Sequence, residues 1–173
     1  MQRICHYSGG KRERFFKSLI DNLGPVRKGP HGKPYFTEAG LAGIFFSLSY
    51  TQEDEILCLS DCEVGVDCES TIARPGIGKR YKAIASRYFT EDEQAYVESG
   101  GTEYCLKTAD ICDAVQRFFV VWTRKEAYMK YTGNGFSEGF LSFSVFQLPQ
   151  VSFKTGRLPD APHIIYSVCE GNG

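Results

Sequence analysis

EVGVDCES, residues Glu63–Ser70, has the composition of a β-strand, with valine at alternate positions, yet it carries two acids two residues apart. Alternate residues of a strand face opposite sides, so Val64, Val66 and Cys68 share one face and Gly65, Asp67 and Glu69 the other. Two residues of rise put the Asp67 and Glu69 Cα atoms ~6.6 Å apart, within reach of one small cation. A solvent-facing strand with ordinary exposed acids is the alternative at this point.

The strands around it set the fold class. QRICHYS (2–8) reads as a first strand, and KRERFFKSLIDNLGP (11–25) as an amphipathic helix with Phe15, Phe16, Leu19, Ile20 and Leu23 at helical spacing. VRKGPHGKPYFTEAG (26–40) is broken by glycine and proline and reads as a surface loop. IFFSLSYT (44–51) and EILCLS (55–60) follow as strands, with YTQED and SDCE as hairpin turns on either side of the latter. KRYKAIASRYF (79–89) and TEDEQAYVESGG (90–101) read as helices, the second with Thr90 as N-cap, Glu93 as its capping-box partner and Gly100-Gly101 as its stop. ICDAVQRFFVVWTRKEAYMKY (111–131) is the longest helical pattern, ended by Gly133-Asn134-Gly135. LSFSVFQL (141–148), QVSFKT (150–155) and HIIYSVCE (163–170) then alternate or run apolar as strands. The order strand, helix, strands is followed by strand, helices, strands, without sequence self-similarity. The expectation is an α+β fold of two similar lobes, one compact domain over 1–173 with an amino-terminal lobe at 1–60 and a carboxy-terminal lobe at 61–173.

Bulk properties exclude several classes. The chain of 173 residues is 42% hydrophobic and 14% aromatic with formal net charge -1, so it is neither disordered nor a polycation built for nucleic acid. Seven cysteines and three histidines show no C-x-x-C pair, which argues against a zinc site or a disulfide framework. No signal core and no long apolar run appear, so a cytoplasmic protein without a membrane role is expected.

On the long helix, Ile111, Val115, Phe118, Phe119, Trp122 and Met129 fall within an arc of about 100°, the expected buried face. Glu126 lies inside that arc, and Lys130 and Lys125 lie just past its two edges. A carboxylate on the core side is costly unless paired or bound to a metal. A Glu126–Lys130 pair at i, i+4 is the structural alternative. Convergence of Asp67, Glu69 and Glu126 on one Mg²⁺ is the economical expectation, since Mg²⁺ takes hard oxygen ligands and is shared with substrate phosphate. Lys130, Lys125 and Lys33 in the GPHGKP loop are then candidate phosphate partners. On these acids alone, a Mg²⁺-dependent phosphoesterase fits as well.

VGVDCE (64–69) followed by WTRKEAYMK (122–130) resembles the paired signature of the 4'-phosphopantetheinyl transferases, G-[VI]-D-x-E with [FW]-[STC]-x-K-E-[AS]-x-x-K. GKPYF (32–36), FFSLSYT (45–51) and RYFTEDE (87–93) are similar to further motifs of that family, in the same order. The closest match is to the larger group with two pseudo-twofold lobes in one chain, here with a shortened first lobe.

The resemblance implies Mg²⁺-dependent transfer of the phosphopantetheine arm of coenzyme A to a serine of an apo acyl or peptidyl carrier protein, releasing 3',5'-ADP. It implies Asp67, Glu69 and Glu126 as metal ligands and Glu126 as proton acceptor. Lys130 is implied as the pyrophosphate contact, and Lys33, Pro34, Ser49 and Tyr50 as coenzyme contacts. Gly65 is expected to leave room for the pyrophosphate. Two departures stand out. Tyr50 occupies a histidine position and carries no charge near neutral pH, and Ser47 replaces an asparagine. Only Arg3, Lys11, Arg12 and Arg14 stand in for the basic residues of a longer first lobe. A catalytically weak relative that still docks carrier proteins is the alternative these departures keep open. A monomer or a dimer fits the two-lobed chain.

Overall fold

Phe46 and Leu48 alternate with Ser47 and Ser49 along β4 (Phe45–Tyr50), and this strand pairs antiparallel with β5 (Asp54–Ser60) through a turn at Thr51, as expected from the sequence. The computed structural model describes residues 2–9, 15–72, 76–99, 113–135 and 139–172. Strand β1 (Arg3–Ser8) adds to the other edge of β5, so the first sheet has the order β1-β5-β4. Helix α1 (Phe15–Leu23) lays Phe16 and Ile20 against Phe46 and Leu57. Glu55 of β5 accepts a hydrogen bond from the Phe16 amide at 3.0 Å, placing a carboxylate at the helix amino terminus. The part of the expected helix at 11–14, with Lys11, Arg12 and Arg14, lies outside the described residues.

The stretch expected to be a loop contains a small hairpin, β2 (Val26–Lys28) with β3 (Pro34–Phe36). Gly32, at φ 90°, supplies the left-handed turn residue between them, so the glycines that break longer elements are what permit this tight return.

The second sheet has the order β6-β8-β7, formed by β6 (Val64–Ser70), β7 (Val151–Leu158) and β8 (Ala161–Gly171), all antiparallel. The segment SDCE is therefore not a hairpin turn: β5 and β6 belong to different sheets, and β6 finds its partner in β8. Val64, Val66 and Cys68 pack with Ile56 and Cys58 of β5 and with Ile164 and Val168 of β8, a shared core between the sheets. Each such side chain stabilises the fold by about 1.5–3 kcal/mol when fully buried.

Three further helices lie among the described residues, α2 (Ile77–Tyr88), α3 (Glu91–Ser99) and α4 (Ala114–Thr132). Glu93 accepts from the Thr90 amide at 2.8 Å, the reciprocal half of the expected capping box. The stop expected at Gly100-Gly101 and the arc residue Ile111 lie outside the described residues. Asp113 caps α4, and Gly133, at φ 70°, ends it. Helix α4 is buried over far more than the expected arc, with Phe118, Phe119, Val120, Val121, Lys125 and Ala127 all fully inaccessible.

Residues 141–148 do not form the expected strand. They follow a 3₁₀ turn at Phe140–Ser142 and make turns whose backbone groups bond side chains instead of a neighbouring strand. Phe140 and Phe143 carbonyls accept from Lys125, and the Val145 amide donates to Glu93. The architecture is the expected α+β arrangement of antiparallel sheets and helices. Among the described residues no helix is long and apolar enough to cross a membrane.

Candidate active site

Strand β6 is buried along its whole length, so Asp67 and Glu69 are not surface acids. Their face turns toward α4. A Cβ on Gly65, on that same face, would meet the backbone of Ala127, Lys130 and Tyr131. This revises the expected role of Gly65: its missing side chain makes room for a helix, which the sequence alone did not place there.

The close approach carries Lys130 to Asp67, with Nζ 2.8 Å from Oδ1. Burial alone would lower the Lys130 ammonium pKa, but the Asp67 charge, assisted by Glu126, raises it above its ordinary value. Lys130 therefore pairs across the helix–strand contact with Asp67. Cys68, between the two acids in sequence, faces the core, and burial with the Asp67 charge pushes its thiol up to about 12. It is a packing residue with no thiolate character.

Glu126 and Lys130 line one cavity of about 270 Å³ together with His31, Lys33, Pro34 and Met129. Helix α4 supplies one wall, the β2–β3 hairpin a second, and Phe46, Ser47 and Leu48 of β4 a third. Lys33 reaches across to the carboxy-terminal end of α4, donating to the Tyr131 carbonyl at 2.7 Å and pairing with Glu63. Its stem lies against Gly133, where a Cβ would come within 3.2 Å of the Lys33 Cδ.

Ser49 is buried on β4. Its hydroxyl accepts from the Cys68 amide at 3.2 Å and donates to Asp67 Oδ1 at 2.8 Å. Tyr50 is exposed at the rim of a second cavity of about 500 Å³, which shares Pro34, Phe46 and Leu48 with the first. The sequence-derived candidates thus fall on one seam between the sheets. Lys33, Pro34, Glu126 and Lys130 share a cavity, Asp67 joins through Lys130, and Ser49 joins through Asp67. Glu69 is buried on the same face of β6. Among the described residues, no three histidine, cysteine or carboxylate side chains are grouped closely enough to hold a metal ion.

Lys125 is removed from the candidate phosphate contacts. Its ammonium is fully buried, 2.9 Å from Glu93 and bonded to the Phe140 and Phe143 carbonyls, so it is an internal ion pair away from the cavity. Sequence reasoning missed Glu63 as the partner of Lys33, and it placed Ser47 at an asparagine position without its bond, in which the hydroxyl accepts from the Val66 amide at 2.9 Å. The serines alternating with Phe46 and Leu48 were the available signal for the latter, because a polar strand face so close to the core needs a polar neighbour.

The family model described as the 4'-phosphopantetheinyl transferase superfamily matches residues 63–171. Among curated proteins, the chain is 32% identical to the 4'-phosphopantetheinyl transferase psf-1 of Bacillus pumilus over 78% of this chain and 51% of that protein. It is 31% identical to the 4'-phosphopantetheinyl transferase AcpT of Escherichia coli over 72% of this chain and 60% of that protein. It is 29% identical to the 4'-phosphopantetheinyl transferase gsp of Aneurinibacillus migulanus over 63% of this chain and 38% of that protein. The chain thus spans about half the length of these curated relatives.

Proposed function

This chain belongs to the 4'-phosphopantetheinyl transferase superfamily, and from that premise we propose that it transfers the phosphopantetheine arm of coenzyme A to a serine of an apo acyl or peptidyl carrier protein, releasing 3',5'-ADP. The observation that carries the reading is the Asp67–Lys130 pair beside a cavity lined by Glu126, Lys33 and Pro34.

The chemistry of the donor set suits a hard dication. Asp67, Glu69 and Glu126 offer only carboxylate oxygens, and the nearby Cys68 thiol stays protonated. The three are not grouped closely enough in this structure to hold a metal ion, so their part as Mg²⁺ ligands rests on the family resemblance, in which the cation would neutralise charge at the pyrophosphate. Lys130, kept protonated, stabilises the negative charge that develops as the phosphorus–oxygen bond to 3',5'-ADP breaks. Glu126 accepts the proton of the attacking serine hydroxyl as its oxygen bonds to the phosphopantetheine phosphorus. Lys33 and Pro34 hold the coenzyme from the hairpin wall, with Ser49 and Tyr50 on the neighbouring strand.

In the same reading, residues 1–60 and 61–173 are two lobes of a single domain, and the protein works in the cytoplasm as a monomer or dimer. Cys5, Cys58, Cys62, Cys68 and Cys169 are all unpaired, which supports a reducing compartment.

The test is incubation with coenzyme A, Mg²⁺ and a panel of apo carrier proteins, followed by mass analysis of each carrier. Addition of the arm at serine is expected. Hydrolysis of coenzyme A without an acceptor would replace this reading with a phosphoesterase, and carrier binding without transfer would replace it with a catalytically weak relative.

A further inference from the structure

Asp67 of β6, Ser167 of β8 and Thr155 of β7 are direct cross-strand partners, so their side chains form one row across the second sheet. Helix α4 lies over that row and touches each of its members. Arg124 donates from Nε to Thr155 Oγ1 at 2.9 Å, Thr123 Oγ1 lies 2.8 Å from Ser167 Oγ, and Lys130 meets Asp67 Oδ1 at 2.8 Å.

The hydroxyls form a chain whose direction is fixed at its ends, because a guanidinium can only donate and a carbonyl can only accept. Arg124 donates to Thr155, Thr155 to Ser167 at 3.0 Å, Ser167 to Thr123, and Thr123 to the Val120 carbonyl at 3.2 Å. The chain thus starts and ends on α4 and passes through two strands. Thr123 and Ser167 are fully inaccessible, and Arg124 is 8% exposed. Apolar packing is non-directional, but a helix that turned or slid here would strand buried polar groups at about 1–3 kcal/mol each. At 3.6 residues per turn, Thr123 and Lys130 fall about 20° apart, and Arg124 and Glu126 fall about 160° apart on opposite shoulders. Fastening Thr123 and Arg124 to the sheet therefore turns Lys130 to Asp67 and Glu126 to the cavity.

We propose that Thr123, Arg124, Thr155 and Ser167 are positioning residues, a buried hydroxyl chain that sets the register of α4 on the sheet and so holds Lys130 and Glu126 at the cavity. The effect on catalysis rests on the transferase reading, and the fastening of the helix does not.

Thr123→Val keeps the shape and removes the hydroxyl, and Ser167→Ala breaks the chain from the strand side. Each is expected to lower kcat for transfer to the carrier about 10- to 100-fold with the Michaelis constant for coenzyme A unchanged, and Thr123→Ser to restore it. A second readout needs no activity. The coupling between Asp67 and Lys130, taken from the unfolding of Asp67→Asn, Lys130→Met and the double variant, is expected to fall by about half or more when Thr123→Val is also present. Val121→Ala, fully buried on α4 in the cluster with α2 and α3, is expected to lower stability while leaving kcat and the coupling unchanged. Should either buried variant fail to fold, Thr155→Val, at the partly exposed link, carries the same expectation. Parental kcat and coupling in the folded chain variants overturn the proposal, and so does an equal loss of coupling in Val121→Ala. A parent protein that modifies no carrier overturns the transferase reading, and the coupling alone then decides whether the chain fastens the helix.

Discussion

A Cβ placed on Gly65 would lie 2.0 Å from the Ala127 carbonyl oxygen and 2.4 Å from the Tyr131 nitrogen, so β6 and α4 meet backbone to backbone. That contact lets Lys130 descend to Asp67. Gly65→Ala must push the helix off the strand, and the expected loss is about 3 kcal/mol, the upper part of the range for overpacked cores. A urea denaturation midpoint equal to that of the parent would show that the helix yields at no cost.

Glu93 and Lys125 form an ion pair in which neither side chain is accessible. Burial raises the Glu93 pKa and lowers that of Lys125, each opposed by the charge of its partner. Lys125→Met strands the carboxylate and is expected to cost about 3–5 kcal/mol. Glu93→Gln combined with Lys125→Met should cost less than the sum of the two single changes, as measured by chemical denaturation; strict additivity would mean that the two groups are not coupled.

The site residues are tested through activity and fold together. Asp67→Asn and Glu126→Gln keep volume while removing charge, and each is expected to abolish transfer with circular dichroism unchanged. Lys130→Ala is expected to lower kcat about 100-fold. Because the folded Lys130 pKa is raised, the stability it contributes is complete below the unfolded value of 10.5 and is lost as pH rises through the folded value. A loss of activity between pH 7 and 9 that disappears in Lys130→Arg would contradict this.

Asp54 sets an acid limit. Burial raises its pKa, but hydrogen bonds from His6 and Ser8 and the charges of His6 and His163 bring it below its ordinary value. His6 lies 2.9 Å and His163 3.5 Å from the carboxylate, joining β1 and β8 across the two sheets. A depressed folded pKa contributes stability that is present above the unfolded value of 3.8 and lost as pH falls through the folded value. Asp54→Asn should flatten the stability profile below that point. An unchanged acid limb would assign the loss to other carboxylates.

Tyr50 stands where the family has histidine, and it is 57% exposed at the rim of the second cavity. Tyr50→His restores a group able to carry positive charge and is expected to lower the Michaelis constant for coenzyme A. An unchanged constant would place this position outside the coenzyme site.

Local pattern made much of this protein legible. Runs rich in valine, isoleucine and phenylalanine within 44–70 and 150–170 report strands because such side chains pack well on a pleated surface, and Thr90, Glu93 and Gly133 mark helix ends because unpaired backbone groups there need them. Where pattern failed, distant residues decided. Residues 141–148 alternate like a strand, but Lys125 and Glu93 take up their backbone groups. The hairpin at 26–36 is too short to leave a periodic trace.

The candidate site divides the same way. The sequence by itself put Asp67 and Glu69 on one face of a strand and Glu126 on the apolar side of its helix, and offered Lys33, Lys125 and Lys130 as candidate cations, because spacing and charge are properties of the chain. Only the tertiary structure decided that Lys125 serves an internal ion pair, that Gly65 admits a helix, and that Ser49 bridges two sheets to reach Asp67. Those are choices of partner, and partners far apart in sequence are selected by how the sheets and α4 pack, which no local spacing encodes.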